Sequence, residues 1–85
     1  MRKIGVIGSG TMGTGIAHVS ALSGFNTVLL DINDGLLELG LKIIESNLNR
    51  QVKKEKITQL DMNETLEKIE LTTNYDDLFD CDVII

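Results

Sequence analysis

The stretch that decides the fold lies near the start of the chain, at residues 3–31, and reads KIGVIGSGTMGTGIAHVSALSGFNTVLLD. Residues 3–7 are rich in β-branched side chains and stop at Gly8, which is typical of a strand buried on both faces. From Thr11 to about Ser23 apolar residues recur at helical spacing, and Gly24 ends the pattern. This segment predicts a helix whose apolar stripe consists of Met12, Ile16, Val19 and Leu22.

Beyond this helix the alternation of strand and helix continues. Residues 27–30 predict a second buried strand that ends at Asp31, after which Asn33 or Asp34 can cap a new helix. No proline interrupts the following segment up to about Lys56, so a long helix is predicted there. Its apolar stripe consists of Leu37, Leu41, Ile44, Leu48 and Val52.

The last third of the chain is less regular. A shorter helix is expected with Asp61 or Asn63 as its cap, and residues 69–73 predict a third strand. Residues 74–80 predict a polar turn or a short helix, and residues 81–85 begin a fourth buried strand. Strands that alternate with helices predict an α/β fold, with a parallel sheet, right-handed crossovers and helices on both faces.

Length, composition and charge limit the function. The 85 residues fall below the roughly 100–150 of a typical domain, so the chain is one small domain or a piece of a larger one. A formal charge of −5 argues against nucleic acid as a partner. No apolar run approaches the roughly 20 residues of a membrane span. The single cysteine, Cys81, can form neither an internal disulfide nor a CxxC zinc motif, so a cytoplasmic protein without a metal is predicted.

A glycine-rich loop of the GxGxxG type joins the first strand to the first helix, and it consists of Gly8, Ser9, Gly10, Thr11, Met12 and Gly13. Between a strand and a helix, this pattern binds the pyrophosphate of a dinucleotide. Gly8 would then permit the tight turn, Gly10 the approach of the pyrophosphate, and Gly13 the close packing of helix on sheet. The amides of Thr11 and Met12 would point at phosphate oxygens. The alternative is a glycine turn that only packs a βαβ unit.

Asp31 ends the second predicted strand 18 residues after Gly13, close to the roughly 20 expected for the acidic residue of this motif. There it would accept hydrogen bonds from the adenosine ribose, and its charge would repel the 2′-phosphate of NADP. Residues 32–34 contain no arginine that could reverse this preference. NAD is therefore the predicted cofactor, with FAD possible from the loop alone. Asp31 could instead only cap a helix or hold a loop.

The run from residue 3 to residue 33 closely resembles the N-terminus of the 3-hydroxyacyl-CoA dehydrogenase family, in particular of its bacterial 3-hydroxybutyryl-CoA dehydrogenases. NLNRQVKKEKIT at residues 47–58 and DCDVII at residues 80–85 are also similar, so the resemblance covers essentially the whole chain. It implies a Rossmann-type sheet in the order 3-2-1-4. It also implies an enzyme of fatty acid or butanoate metabolism that interconverts 3-hydroxyacyl-CoA and 3-oxoacyl-CoA by hydride exchange with NAD.

The length of the segment between strands two and three bears on the substrate, because dehydrogenases of free β-hydroxyacids have a similar glycine loop. The 37 residues between Asp31 and Ile69 far exceed the roughly 10–15 of a simple crossover helix. The family that this chain resembles has a helical hairpin at this place that helps to bind CoA, and we expect this chain to form it. A free-acid dehydrogenase and a non-catalytic NAD-binding module are the alternatives.

Half of the eight basic residues lie within seven positions, at Arg50, Lys53, Lys54 and Lys56. A solvated helix end accounts for such a cluster, since the helix dipole favours cations there. The resemblance implies more for two residues, because Asn47 and Lys54 match family positions that contact CoA and share one helix face. Many members carry a serine in place of Asn47, and Glu55 replaces a frequent glycine.

No residue is predicted to be catalytic. His18, the only histidine, lies within the first helix and away from the loop, so a structural or surface role is expected rather than that of a general base. Cys81 has no visible base and is expected to be a small buried residue. In the family that this chain resembles, the catalytic histidine, its glutamate partner and the dimerisation domain follow the region matched here. Residues 1–85 are therefore expected to be a partial NAD-binding Rossmann domain, inactive by itself.

The fourth predicted strand bears on association. It is expected to leave an unprotected sheet edge and apolar faces, and such edges invite pairing with another chain. We therefore expect self-association or a homo-oligomer, or else marginal stability.

Overall fold

A single parallel sheet organises the computed structural model, which describes residues 2–85. Within these residues it has four strands, β1 Lys3–Ile7, β2 Asn26–Leu30, β3 Ile69–Thr72 and β4 Val83–Ile84. The strands lie in the order β3-β2-β1-β4, and every neighbouring pair is parallel. The predicted α/β fold and strand order are therefore confirmed.

Helices connect the strands: α1 Thr11–Leu22, α2 Asp34–Lys53 and α3 Gln59–Glu67, with a short 3₁₀ helix at Tyr75–Leu78. Between β2 and β3 the chain thus forms two helices that pack against each other, which confirms the predicted helical hairpin. A free-acid dehydrogenase would predict a short crossover at this place, and the two-helix connection disfavours that alternative.

The helix caps were predicted correctly for α2 and wrongly for α3. Asn33 caps α2, and its side chain accepts a hydrogen bond from the Leu36 N–H at 2.9 Å. Thr58, rather than Asp61 or Asn63, caps α3. Its hydroxyl accepts from the Asp61 N–H at 3.0 Å, while the Asp61 carboxylate accepts from the Thr58 N–H at 2.9 Å. Asp61 is therefore the third residue of a reciprocal capping box, which places the cap three residues earlier.

The main core lies on one face of the sheet. It consists of Val6, Ala17, Leu29, Leu37, Ile44, Leu48 and Met62, so α1, α2 and α3 all contribute to it. On the opposite face Val28 and Leu30 pack against Leu78 of the 3₁₀ helix, with Cys81 beside them. The expected helical cover is therefore seen on the first face, and on the second face the described chain provides only the segment at residues 75–81, which includes the 3₁₀ helix.

The buried face of α1 differs from its predicted apolar stripe. Met12 is 79% exposed and Val19 is 64% exposed. Ile16 and Leu22 of the stripe are partly buried against the core, but the residues that α1 buries fully are Thr14, Ala17, His18 and Ala21. Three of these four side chains are small, and a search for large apolar residues does not detect such a face. The apolar stripe predicted for α2 agrees better with the observed buried face, since Leu37, Ile44 and Leu48 are buried.

The fourth strand is not buried as predicted. Val83, Ile84 and Ile85 are each about half exposed, between 47% and 55%. β4 pairs with β1 through Ile4 and Gly5, but its side chains belong to neither core cluster in the described residues. Ile7 at the end of β1 is 45% exposed, because the short segment that covers this face does not extend over it. No helix within residues 2–85 is long and apolar enough to cross a membrane.

Candidate functional site

The glycine loop begins at the carboxyl end of β1 with a left-handed residue. Gly8 has a φ of 96°, a conformation that residues with a side chain rarely adopt. Its N–H donates to the Leu30 carbonyl oxygen at 2.7 Å, which ties the end of β1 to the end of β2. The predicted role of Gly8 in a tight turn is confirmed.

Gly13 lies where α1 passes over this turn. A Cβ atom at Gly13 would lie 1.7 Å from the Gly8 carbonyl oxygen, closer than any side chain could be accommodated without a backbone shift. The predicted role of Gly13 in close packing is also confirmed. Together the two glycines set the direction in which α1 leaves the sheet.

The N-terminus of α1 is open and suits an anion. Gly10 is the N-cap residue and supplies no capping side chain, and the first turn of α1 contains no acidic residue. The first amides of a helix have no acceptor within the helix, and the helix dipole favours negative charge at this end. A Cβ atom at Gly10 would have no heavy atom within 4 Å, so the space in front of the loop is free. The residues present therefore fit a pyrophosphate.

Asp31 lies beside this loop and is fixed by it. Its Oδ2 atom accepts hydrogen bonds from the Ser9 N–H at 2.7 Å and from the Ser9 hydroxyl at 2.5 Å. Its Oδ1 atom accepts from the Ile32 N–H at 2.7 Å. The Ser9 hydroxyl, followed by the Ser9 and Ile32 amides, holds the pKa of the Asp31 carboxyl below its ordinary value. The carboxylate is therefore charged at neutral pH.

Asp31 was predicted either to bind the adenosine ribose or only to cap a helix or hold a loop, and this geometry bears on both roles. The bonds to Ser9 give Asp31 a loop-holding role. A carboxylate oxygen can accept two hydrogen bonds, so Oδ2 is filled by Ser9, whereas Oδ1 keeps capacity for one further donor. Sequence reasoning assigned Ser9 only to the phosphate loop and missed its contact with Asp31. A small polar residue between the first two glycines is the signal that could have indicated it.

A second concave site lies between α1 and α2. It is a cavity of about 340 Å³ lined by Gly15, His18, Val19, Asn47, Arg50, Gln51, Lys54 and Lys56. The structure thus brings Asn47 and Lys54, the two residues matched to CoA contacts, to one cavity wall. Three cationic side chains line the cavity and no carboxylate does. The lining is therefore suited to a ligand that carries phosphates.

The cluster of basic residues divides between two surfaces. Lys53 lies in a separate depression with Lys42, Glu45 and other residues of α2. Within the first cavity, the Asn47 Oδ1 atom accepts a hydrogen bond from the Arg50 guanidinium at 3.1 Å. Asn47 thus orients Arg50, a contact that its match to the family did not predict.

The turn that follows α2 contains the one residue other than glycine with a positive φ in the described chain, Glu55, at 59°. The Glu55 N–H donates to the Val52 carbonyl at 3.0 Å, and the Lys56 N–H donates to the Gln51 carbonyl at 2.9 Å. This pattern is a Schellman motif with Glu55 at the position that glycine usually occupies. It ends α2 at Lys53, earlier than the predicted Lys56.

His18 and Cys81 have the structural positions expected of them. His18 is 9% exposed on the buried face of α1 and lies away from the glycine loop. It also lines the cavity, which was not predicted. Cys81 is partly buried, and its burial raises the pKa of its thiol, which disfavours the thiolate. Among the described residues no group of three or more His, Cys, Asp or Glu side chains could hold a metal ion.

Comparison with known proteins gives a consistent result. Residues 3–85 match the profile of the family described as "3-hydroxyacyl-CoA dehydrogenase, NAD binding domain". The chain is 46% identical over 85 residues to a 3-hydroxybutyryl-CoA dehydrogenase of Bradyrhizobium diazoefficiens, covering 100% of this chain and 29% of that protein. It is 40% identical over 83 residues to the enzyme of that name from Clostridioides difficile, covering 98% of this chain and 30% of that protein.

Solved structures agree with these relatives. The crystal structure of the (S)-3-hydroxybutyryl-CoA dehydrogenase of Ralstonia eutropha has a TM-score of 0.96 at 42% identity, over 99% of this chain and 30% of that one. The 3-hydroxybutyryl-CoA dehydrogenase of Escherichia coli K12 has a TM-score of 0.95 at 35% identity, over 98% of this chain and 18% of that one. The chain thus spans less than a third of the length of each of these relatives.

Proposed function

The chain belongs to the family of NAD-binding domains of 3-hydroxyacyl-CoA dehydrogenases, and we propose that it is the NAD-binding portion of an enzyme that interconverts 3-hydroxyacyl-CoA and 3-oxoacyl-CoA. The names of the relatives favour 3-hydroxybutyryl-CoA as the substrate. NAD is the cofactor of the family, and its nicotinamide exchanges hydride with the alcohol carbon in such a reaction. A role in fatty acid oxidation is supported by a relative of 35% identity named "Fatty acid oxidation complex subunit alpha".

Within this function we assign the pyrophosphate of NAD to the glycine loop. The amides of Thr11 and Met12 donate to the phosphate oxygens, and the α1 dipole stabilises their charge. Gly10 contributes by having no side chain, because any larger residue would fill the free space in front of the loop. This open and uncapped helix end is the observation that carries the proposal for NAD.

We assign the adenosine ribose to Asp31. The Oδ1 atom has capacity for a hydroxyl donor, while Ser9 and Ile32 hold the carboxylate in place. Because its pKa is lowered, Asp31 is ionised at neutral pH and would repel a 2′-phosphate. This charge supports NAD over NADP.

We assign part of the CoA moiety to the cavity between α1 and α2. Arg50, Lys54 and Lys56 provide cations for its phosphates, and Asn47 orients Arg50 through their hydrogen bond. Two residues chosen by family resemblance, Asn47 and Lys54, line the same cavity, and this convergence supports the assignment.

Calorimetric titration of the 85-residue protein with NAD and, separately, with acetoacetyl-CoA tests both assignments. Lys54→Ala should weaken acetoacetyl-CoA binding roughly tenfold, as expected for a charge-assisted contact, and should leave NAD binding unchanged. Lys53→Ala is the matched control, because Lys53 lies outside the cavity. A folded protein that binds NAD but not acetoacetyl-CoA would indicate an NAD-binding module without a CoA site and would refute the CoA assignment.

We further propose that the β4 edge favours self-association. Val83, Ile84 and Ile85 are about half exposed and Ile7 lies beside them on β1. Exposed apolar residues along a sheet edge favour pairing with a second copy. Sedimentation velocity across a concentration series should show a mass above that of the monomer, and a stable monomer at all concentrations would contradict the proposal.

We place the protein in the cytoplasm. The free thiol of Cys81 suits a reducing compartment, where unpaired cysteines persist. Fractionation of cells that express the protein would test this, and recovery in a secreted fraction would contradict it.

A further inference from the structure

Gln51 carries a polar atom that the fold leaves without a partner. Its side-chain Oε1 atom is shielded from water and accepts no hydrogen bond, and within residues 2–85 it is the sole buried side-chain nitrogen or oxygen of this kind. A buried carbonyl oxygen without a donor is destabilising, so such atoms are rare and call for an explanation. Gln51 lies in the wall of the cavity between α1 and α2, where a ligand could supply the missing donor.

The position of Gln51 on α2 is well defined. It is four residues after Asn47 and three before Lys54, so the three side chains lie on one helix face. Its main-chain carbonyl accepts the Lys56 N–H at 2.9 Å and is therefore part of the motif that ends the helix. The backbone of Gln51 is thus anchored, while its side-chain oxygen is unpaired.

No neighbouring group of the cavity donates a hydrogen bond to the Gln51 side-chain oxygen. Arg50 donates to Asn47 at 3.1 Å, and the Gln51 oxygen accepts from neither Lys54 nor Lys56. The cations are complementary to phosphate, whereas an amide oxygen is complementary to an N–H or O–H donor. To meet a ligand the Gln51 oxygen has to turn toward the cavity, and rotation about the last bond of a glutamine side chain is soft.

We infer that Gln51 is a specificity-determining residue of the cavity, whose side-chain oxygen accepts a hydrogen bond from an N–H or O–H group of the bound acyl-CoA. The inference rests on the proposed CoA site and adds to it a contact with a hydrogen-bond donor of the ligand rather than with its phosphates. Acyl-CoA offers such donors in two parts of the molecule, the amino group and ribose hydroxyl of its nucleotide and the amides and hydroxyl of its pantetheine arm. Both present the same chemistry to Gln51.

The variant Gln51→Met tests the inference, because methionine has similar length and flexibility but no amide. In calorimetric titration its affinity for acetoacetyl-CoA should fall on the order of fivefold to tenfold, the loss expected for one hydrogen bond. Its thermal unfolding without ligand should occur at a higher temperature than in the parent protein, because the unpaired oxygen is gone. A merely structural role for the Gln51 amide would instead lower the unfolding temperature and would overturn the inference.

Two ligand fragments identify the donor. A loss of affinity for 3′-phosphoadenosine 5′-diphosphate assigns the donor to the nucleotide, and a loss for acetoacetylpantetheine assigns it to the pantetheine arm; either result supports the inference. Gln59→Met is the matched control, since Gln59 lies on α3 and does not line the cavity. Unchanged acetoacetyl-CoA affinity in Gln51→Met, while Lys54→Ala weakens binding, would overturn the inference and leave the CoA site intact. Absence of acetoacetyl-CoA binding by the folded parent protein would overturn both.

Discussion

Asp31 and Ser9 are joined by two hydrogen bonds, in which the Asp31 Oδ2 atom lies 2.7 Å from the Ser9 nitrogen and 2.5 Å from the Ser9 hydroxyl oxygen. Asp31 follows β2, and Ser9 belongs to the loop that follows β1. The carboxylate assigned to the ribose is therefore held by the loop assigned to the pyrophosphate. Disturbing either residue should affect both the binding and the stability of the domain.

Replacement of Asp31 tests cofactor choice. Asp31→Asn removes the negative charge with little change in shape, so it should weaken NAD binding roughly tenfold, as expected for loss of a charge-assisted hydrogen bond. It should weaken NADP binding less, because repulsion of the 2′-phosphate is lost. Asp34→Asn removes an exposed carboxylate nearby and should change neither affinity. An unchanged ratio of NAD to NADP affinity in Asp31→Asn, measured by calorimetry, would refute the assignment.

The Ser9 hydroxyl should contribute to stability in a pH-dependent way. Hydrogen bonds from Ser9 hold the pKa of Asp31 in the folded protein below its value in the unfolded chain, which is near 4. Their contribution to the free energy of unfolding is therefore present above the unfolded pKa and is lost as the pH falls through the folded pKa. Ser9→Ala should cost about 1 kcal/mol at pH 7. The difference from the parent protein should shrink below about pH 4. Urea unfolding at pH 7 and pH 3 measures this, and an equal difference at both would count against it.

Gly13 and Gly15 form a matched pair within α1. Gly13→Ala places a methyl group 1.7 Å from the Gly8 carbonyl oxygen, so it should destabilise the domain by about 3 kcal/mol or more. Gly15 has no heavy atom within 4 Å of its Cβ position, so Gly15→Ala should stabilise the helix by about 1 kcal/mol. Urea unfolding followed by circular dichroism distinguishes them. Equal effects of the two substitutions would contradict the close packing of α1 on the turn.

Glu55 is a site where stability can be gained. Its φ of 59° is left-handed, a conformation that costs a residue with a side chain about 1–2 kcal/mol relative to glycine. Because glycine also has more freedom in the unfolded chain, Glu55→Gly should stabilise by about 1 kcal/mol. Glu55→Ala removes the same charge but keeps the Cβ atom, so it should give no such gain. A gain of similar size in both variants would show that charge, rather than backbone conformation, is responsible.

Local patterns predicted much of the fold. The order of strands and helices, the glycine loop and Asp31 were all predicted, because each depends on residues close together in the sequence. The buried face of α1 was not, since Ala17 and Ala21 carry little hydrophobic signal and are selected by close contact with the sheet. The cap of α3 was missed because Thr58 bonds reciprocally with Asp61, and Asp61 by itself also looks like a cap.

The candidate site was predictable in part. Asn47 and Lys54 were identified through family resemblance, and they do line one cavity. The presence of His18 and Gln51 in the same cavity could not be foreseen, because the cavity forms only where α1 crosses α2, and no spacing in the sequence encodes that crossing. The contact between Ser9 and Asp31 likewise joins residues 22 positions apart.

Gly10 gives the most direct test of the central claim, that the open N-terminus of α1 holds the pyrophosphate of NAD. The backbone of Gly10 has a φ of −68° and a ψ of −175°, which any residue can adopt, and its Cβ position is free of contacts. Gly10→Val should therefore fold, with a loss of about 1 kcal/mol because valine is a poor N-cap residue, while its side chain fills the space assigned to the phosphates. Calorimetric titration with NAD should show binding to the parent protein and its loss in the folded Gly10→Val variant. Equal NAD affinity in the two proteins would contradict the account.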